Sequence, residues 1–445
     1  MRGEQFYRGL MRMINESFSG MEFFALATDI EEGLTRFYEN KIHQNISTDT
    51  SNLTIVALKD GKFAVVESND FSKGSLDRLS ENAKEILENA AKAPFNVKLP
   101  PLRLEYPHDE IDSSMKSVGP KDRAEIFDSI VEKASKNSLK AYGSISTEVG
   151  EMVVMSSNGL FLYQSMSVAN YNVVFLNEHG SGSRTSDFSK SVSGLNMDKI
   201  DEVVELSKMN VPSAEIDPGR YTVILGPEAV ATLFQYFAWS ALNGYHYELG
   251  TSSAVKYLGK KIGPEFLNFK DDPNDERQIP LHFDVAGIKR DTFYFIEGGV
   301  LKNLMYSFGS ALMFSKDPTG HSASLSSLEA VHPFNPVIEG GDVSKDDLFS
   351  SVEKGLYIHR FHYVNVVDPS ELILTGMTRD GFFLVEGGRI TKALKNMRFN
   401  VSFYEVLENL KALSRETEKV EGGYTGFVAP YALVENFNFT SKTDH

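Results

Sequence analysis

The stretch of the sequence that most constrains the fold runs from Tyr221 to Gly244, YTVILGPEAVATLFQYFAWSALNG. It begins with five β-forming residues, turns at Gly226-Pro227 and continues as a predicted helix to Asn243, with Gly244 as its stop. Proline is favoured at the first helical position because that amide has no partner inside the helix. A helix that is apolar nearly all round is a buried helix, and about 17 residues at ~1.5 Å each are shorter than a usual membrane span. We therefore predict a central core helix that follows a core strand.

The composition limits the class of protein. A chain of 445 residues with 41% hydrophobic and 24% charged residues is globular and too long for one core. Its net charge of −16 disfavours direct binding to nucleic acid, which requires a basic surface. The absence of cysteine excludes disulfides, thiolate metal ligands and a cysteine nucleophile. Because we find neither a signal peptide nor a long apolar run, we expect a cytoplasmic protein without a membrane partner.

The order of helical and strand-like segments predicts an α+β fold. We expect two small N-terminal domains, residues 1–97 and 98–214, each built from helices and a strand meander. A proline-rich stretch marks the limit between them. A larger strand-rich C-terminal domain, residues 215–445, should contain the central buried helix. Within it, Gly298-Gly299 and Gly387-Gly388 each join two strand-like runs, which is typical of tight hairpins.

Candidate metal ligands are scattered. His282 and Asp284 are two positions apart and would share one face of a strand, whereas His321 and His332 lie in loop-like sequence. No motif connects these four residues, so the pattern favours loop histidines that are solvated or hydrogen-bonded. We find no GxSxG elbow, no phosphate-binding loop and no dinucleotide-binding fingerprint. The residues alone therefore predict no metal or cofactor site and leave these four as candidates.

Several separate segments carry a family resemblance. The runs VILGPEAVATLF, SALNG, TSSAVKYLGKKIGPEF and IEGGVLKNLM, in this order and spacing, resemble the TldD/PmbA (TldE) family. The resemblance covers essentially the whole chain and is densest from 221 to 320. It implies that the TldD members are zinc metalloproteases with an HExxxH motif on the helix after the strand and glycine turn. Two histidines would bind zinc, the glutamate would act on the metal-bound water, and a later cysteine would be a further ligand.

The HExxxH motif is missing from this chain. Placed by the preceding Gly226, its first histidine falls on Gln235, its glutamate on Tyr236 and its second histidine on Ser240. These side chains are poor zinc ligands, and the sequence has no cysteine. The chain is therefore similar to the PmbA/TldE branch, and we expect no catalytic residue and no cofactor in it. Zinc is expected in a TldD-like partner.

The resemblance implies a function and leaves others open. It implies the non-zinc subunit of a cytoplasmic TldD/TldE-type metalloprotease, paired with a TldD-like paralogue as a heterodimer, or with itself as a homodimer. Its substrates would be extended peptides or small unstable proteins, including peptide-antibiotic precursors and antitoxins. One alternative is a stand-alone metal-dependent hydrolase that uses His282, Asp284, His321 or His332. Another is a non-enzymatic regulator that acts through a protein partner, since the family also carries the label of modulator of DNA gyrase. Whether the chain is itself an enzyme stays open.

Overall fold

The computed structural model describes residues 1–103, 107–211, 214–422 and 425–443. None of the helices in these ranges is long and apolar enough to cross a membrane. The α-helices are α1 (Glu4–Ser17), α2 (Lys73–Asn89), α3 (Pro120–Lys136), α4 (Lys199–Met209), α5 (Pro227–Ser240), α6 (Gly244–Glu248), α7 (Ala254–Tyr257), α8 (Phe308–Phe314), α9 (Lys345–Ser350) and α10 (Phe403–Glu408). The strands are β1 (Glu22–Tyr38), β2 (Lys41–Lys59), β3 (Lys62–Ser68), β4 (His108–Glu110), β5 (Lys140–Ser156), β6 (Phe161–Leu176), β7 (Gly182–Ser189), β8 (Gly219–Leu225), β9 (Phe269–Asp271), β10 (Phe293–Glu297), β11 (Val300–Leu301), β12 (Pro336–Ile338), β13 (Lys354–Asp368), β14 (Ile373–Glu386), β15 (Arg389–Ala393), β16 (Met397–Ser402), β17 (Leu410–Val420) and β18 (Phe427–Lys442).

The N-terminal half is built on one seven-stranded sheet. Its strand order is β3-β2-β1-β5-β6-β4, with β7 paired to β6. The long strands β1 and β5 run antiparallel from Phe24–Ser156 to Phe37–Gly143. Helices α1 and α2 cover one part of this sheet, and α3 and α4 cover another. The sheet therefore crosses the predicted limit at residue 97.

The predicted division into domains stays a prediction. Residues 212 and 213, beside the second predicted limit, lie outside the described residues. The two halves are in contact, because apolar side chains of β5 and β6 pack against the C-terminal segment 281–285.

The C-terminal half is an eleven-stranded sheet with the order β11-β10-β9-β12-β18-β16-β14-β13-β8, in which β15 also pairs with β14 and β17 with β18. Strand β8 pairs in parallel with β13 and antiparallel with β18, so that five strands close into a ring. Helix α5 packs against β13 and β18, and its apolar residues belong to the largest hydrophobic cluster of the described chain. The predicted α+β class is confirmed, with a strand-rich N-terminal sheet and a larger C-terminal sheet against which α5 packs.

Local turn signals were predicted with mixed success. Both Gly-Gly hairpins are confirmed, since Gly298-Gly299 joins β10 to β11 and Gly387-Gly388 joins β14 to β15, all four with positive φ. The predicted end of the central helix was wrong, because α5 ends at Ser240. The side-chain oxygen of Asn243 accepts a hydrogen bond from the Tyr245 amide and caps α6 instead.

A core substitution on α5 tests the packing of this half. Phe237 is fully buried and stacks on Phe403, with ring centroids 4.6 Å apart. We expect Phe237→Ala to lower the free energy of unfolding by about 3–5 kcal/mol, because it removes a buried ring and leaves a cavity. Urea denaturation followed by circular dichroism measures the change. The control Leu249→Ala, at a side chain that is 51% exposed, should change stability by about 0.5 kcal/mol or less. Equal effects of the two would contradict the packing described.

Candidate functional site

The turn between β8 and α5 positions the candidate site. The amide of Gly226 donates a hydrogen bond to the carbonyl of Ile358 on β13, 2.8 Å away. A Cβ at Gly226 would lie only 3.0 Å from the His359 carbonyl oxygen and from the Tyr357 hydroxyl. The glycine therefore allows the turn to lie directly against β13, and Pro227 begins the helix immediately after it.

A buried ionic network fixes the N-terminus of α5. The guanidinium of Arg184 on β7 lies 2.7 Å from the carboxylate of Glu228 and also contacts Glu421. Ser186 donates a hydrogen bond to the other oxygen of Glu228. Burial alone would raise the pKa of Glu228, but the charges of Arg184 and of His359 outweigh it and lower that pKa overall. The carboxylate is therefore ionised and joins α5 to the N-terminal sheet.

Helix α5 is buried on one side only. Nine of its residues are buried. The remaining five are partly or well exposed and recur at spacings of three and four, which places them on one face; they are Thr232, Gln235, Tyr236, Trp239 and Ser240. All three positions that the sequence analysis predicted for the zinc motif, Gln235, Tyr236 and Ser240, thus lie on the accessible face of the helix.

These three positions cannot reproduce a zinc site. Helix α5 is a regular α-helix from end to end, so that Gln235 and Ser240 lie about 140° apart around its axis. Tyr236 donates its hydroxyl proton to the carbonyl oxygen of Val364 on β13. Burial raises the pKa of Tyr236, so the phenol is neutral and supplies neither a metal ligand nor a general base at neutral pH.

Exposed aromatic side chains lie on this face of α5 and on β13, to which Tyr236 bonds. The indole of Trp239 is 44% exposed and packs edge-on against Tyr236, with centroids 5.6 Å apart. Its Nε1–H donates to Nδ1 of His332 over 3.3 Å. Strand β13 shifts register between His362 and Asn365, and within this bulge Tyr363 has a φ of 48° and is 72% exposed. Such bulges re-aim side chains next to functional sites. We call Gln235, Tyr236, Trp239, Ser240 and Tyr363 the α5 surface.

The sequence-based metal candidates do not meet in one site. His282 and Asp284 were predicted on one strand face, but the structure places them in a loop with a single isolated bridge from Phe283 to Lys289. The Asp284 carboxylate is fully buried and accepts hydrogen bonds from the amides of Ala286, Ile288 and Ser322. Burial raises the pKa of Asp284, and although these hydrogen bonds lower it in part, the pKa is raised overall. It organises the loop and has no accessible ligand atom.

The other two candidates, His321 and His332, contact different partners. The imidazole of His321 is buried, with Nε2 3.0 Å from Oδ2 of Asp271, which Arg290 also contacts at 2.6 Å. Burial would raise the pKa of Asp271, but Arg290 and His321 hold it well below its usual range. The amide of His332 donates a hydrogen bond to the carbonyl of His321, but the imidazole of His332 accepts from the indole of Trp239. Burial lowers the pKa of His332 to about 4.

His282 has partners that the sequence did not indicate. Its Nε2–H donates to Glu110 over 2.9 Å, and its ring stacks on His108. Burial would raise the pKa of Glu110, but hydrogen bonds from Lys190 and His282 lower it overall. Glu110 precedes His282 by 172 positions, and no local pattern could have joined them.

Comparison with known proteins now decides the family. Residues 218–441, half of the chain, match the model of the PmbA/TldA metallopeptidase C-terminal domain. The chain belongs to the PmbA/TldD family. This segment contains both α5 and the strands of the ring against which it packs. The resemblance found in the sequence is confirmed at the level of the family.

Individual relatives agree with that assignment. The chain is 24% identical over 315 residues to a protein named metalloprotease TldD homolog from Buchnera aphidicola subsp. Schizaphis graminum. That match covers 66% of this chain but only 64% of the relative, less than two thirds of its length. The metalloprotease PmbA homolog from Buchnera aphidicola subsp. Acyrthosiphon pisum is 20% identical over 388 residues, covering 81% of this chain and 83% of the relative.

Solved structures share the fold. The crystal structure of TldE from Thermococcus kodakarensis superposes with a TM-score of 0.87 at 19% identity and covers 98% of this chain and 99% of that one. A Thermotoga maritima protein, described as a candidate modulator of a DNA gyrase, superposes with a TM-score of 0.82 at 18% identity, covering 98% and 100%. At these identities the likeness shows the fold alone.

The pair of Trp239 and His332 offers a direct spectroscopic test. The chain has one tryptophan, so its fluorescence reports on this face of α5. Protonation turns Nδ1 of His332 into a donor and breaks its hydrogen bond with the indole. Because the pKa of His332 is lowered to about 4, we expect the fluorescence transition near pH 4 and not near 6.5. The transition should be absent in His332→Gln, with circular dichroism confirming that both proteins stay folded. A transition near pH 6.5, or one retained in the variant, would contradict the described contact.

Proposed function

We propose that this chain is the non-zinc subunit of a TldD/TldE-type cytoplasmic metalloprotease that acts on unfolded peptides or small proteins. One observation carries the proposal. The residues at the zinc-motif positions, Gln235, Tyr236 and Ser240, lie on the accessible face of α5, where chemistry would be placed in a catalytic relative. None of them can bind zinc or activate a water molecule.

Two further observations support a subunit role. The family model that matches the chain is that of a metallopeptidase, and its curated relatives include proteins named as metalloproteases. The chain has no cysteine to supply a later zinc ligand. Peptide hydrolysis by the complex would therefore depend on zinc in a TldD-like paralogue, with which this chain forms a heterodimer.

The α5 surface suits an extended peptide. Trp239 and Tyr363 expose large rings that can cover apolar side chains of a substrate at little cost in conformational entropy. An extended peptide can also add a strand to an exposed sheet edge, and the C-terminal half is rich in strands. In this role the chain binds and orients the substrate, and the partner cleaves it.

The alternatives receive less support from the geometry. A stand-alone hydrolase built on His282, Asp284, His321 and His332 would need these residues in one site, and each of the four contacts a different set of neighbours. A regulator of a topoisomerase would act through protein contacts, since the charge of −16 disfavours DNA. A pull-down that recovers a topoisomerase and no TldD-like chain would favour the regulator.

Activity should depend on the paralogue. We expect the purified chain alone to leave an unfolded fluorogenic peptide uncleaved, and the mixture with a zinc-bearing TldD-like protein to cleave it faster than that protein alone. The reason is that α5 carries no ligand set or general base. Replacing the two motif histidines of the paralogue by alanine should abolish cleavage by the mixture. Hydrolysis by this chain without a partner would sink the subunit proposal.

Substrate binding should depend on the α5 surface. In the complex, Trp239→Ala or Tyr363→Ala should each weaken peptide affinity about 5- to 30-fold, the effect of losing a buried aromatic anchor at an interface. Fluorescence anisotropy with a labelled unfolded peptide and an inactivated paralogue measures this directly. Tyr38→Ala is the matched control, since Tyr38 is 59% exposed on β1 of the N-terminal sheet. Unchanged affinity in both α5 variants would place the peptide elsewhere.

A further inference from the structure

Three side chains with metal-ligating atoms converge where β4 meets the C-terminal half. His108 and Glu110 stand two positions apart on β4 and therefore on the same face of the strand. His282 reaches them from the loop that follows Pro280. One ligand atom from each of the three lies within 4.8 Å of the others, and the imidazoles stack with centroids 3.9 Å apart.

One buried residue holds both sides of this cluster. Gln164 on β6 is fully buried and stands opposite His108 in the parallel ladder of β4 and β6. Its side-chain oxygen accepts from the amide of His282 over 2.9 Å, and its side-chain nitrogen donates to the carbonyl of Pro280 over 2.7 Å. Gln164 therefore lies between both backbones, because its strand pairs with β4 and its side-chain amide holds the loop of His282. Preorganised metal sites require such support.

The orientation of Glu110 leaves one oxygen toward the histidines. Oε2 accepts from Nζ of Lys190 over 2.7 Å, and Oε1 faces Nε2 of His282 at 2.9 Å. All three ligands are partly buried, so that water competes less than on an open surface. A carboxylate held by an outer hydrogen bond is the usual companion of metal-binding histidines.

We propose that His108, Glu110 and His282 bind a divalent cation of the zinc class and so tie β4 of the N-terminal sheet to the C-terminal half. Two imidazoles, one carboxylate and an open position form a common zinc ligand set. Mg²⁺ and Ca²⁺ prefer sites made of oxygen atoms alone, and imidazole ligands favour Zn²⁺, Co²⁺ or Ni²⁺. The cation binds Nε2 of His282 in the tautomer whose ring proton lies on Nδ1, so the proton that Nε2 donates to Glu110 moves to the other nitrogen of the same ring. The ligand atoms then contract to the spacing of about 3.3 Å that zinc–nitrogen bonds of ~2.0 Å impose in a tetrahedron.

This site is separate from the α5 surface. None of its ligands lies on α5 or on β13, so it goes beyond the proposed function and does not depend on it. The sequence predicted His282 as a candidate ligand together with Asp284, His321 and His332 and indicated neither His108 nor Glu110 as its partner. The carboxylate of Asp284 is occupied by backbone amides.

Metal titration of the full-length, tag-free chain tests the proposal. After removal of metals with a chelator, we expect one equivalent of Zn²⁺ to bind in calorimetry and one equivalent of Co²⁺ to give a visible absorption band. His108→Ala, Glu110→Gln and His282→Ala should each weaken Zn²⁺ affinity at least about 10-fold. Affinity should fall as the pH is lowered, because protons compete for the imidazole nitrogens. Zinc should raise the melting temperature of the parent chain and not that of His282→Ala.

Matched controls make the outcome decisive. His43→Ala and His179→Ala remove exposed histidines outside the cluster and should leave the stoichiometry and affinity unchanged. The double variant Gln235→Ala and Ser240→Ala should also bind one equivalent. Circular dichroism shows whether each variant is folded. Absence of saturable binding by the parent chain would overturn the proposal, and so would binding that survives all three ligand substitutions. These results are independent of peptide cleavage, so this site and the subunit role can fail separately.

Discussion

Glu228 and Arg184 form a buried ion pair 2.7 Å long that joins the first turn of α5 to β7 of the N-terminal sheet. This pair contributes mainly to the position of α5 and little to the free energy of unfolding, because the cost of removing two charges from water offsets much of their attraction. The carboxylate also lies at the positive end of the helix dipole. Arg184 extends the network to Glu421, which follows β17. Together with the close approach at Gly226, these contacts fix the rotation of α5 about its own axis.

That rotation decides what the helix can do. The apolar side of α5 fills the core, where Phe234 and Phe237 contact Phe403. The other side is left accessible and carries Gln235, Tyr236 and Ser240, the positions that the sequence analysis predicted for the zinc motif. Since packing and chemistry lie on opposite faces, the ligands can be replaced without disturbing the core. Helix α5 therefore keeps its place in the fold through its apolar face and leaves Tyr236 and Trp239 on the accessible one.

Several predictions succeeded because their signals are local. The strand, the glycine turn and the proline at the first helical position lie within a few residues of one another, and the two Gly-Gly hairpins need only backbone that tolerates positive φ. The predicted end of α5 was wrong because a local signal there has two possible structural meanings. Asn243 can close one helix or cap the next, and contacts with the chain around Met305 select the second, since the amide of Gly244 bonds to the Met305 carbonyl.

Contacts between residues far apart in the chain could not be predicted from the sequence. Glu110 and His282 are 172 positions apart, and Arg184 and Glu421 are 237 apart. The loops that contain His282, Asp284, His321 and His332 have no hydrophobic periodicity to orient their side chains. Their burial depends on elements from both halves of the chain. Asp284 shows the consequence, because it looked like a ligand beside His282 and instead binds three amides of its own neighbourhood.

The sequence by itself determined the family, the α+β class, the strand and helix at residue 221 onward, and the absence of zinc ligands at Gln235, Tyr236 and Ser240. These properties depend on residue identity and on spacing along the chain. Only the tertiary structure decided that these three positions face outward, that Tyr236 bonds to Val364 next to the exposed Tyr363, and that His108, Glu110 and His282 meet. The physical reason is that side-chain neighbourhoods are set by the pairing and packing of strands distant in sequence, which no local pattern records.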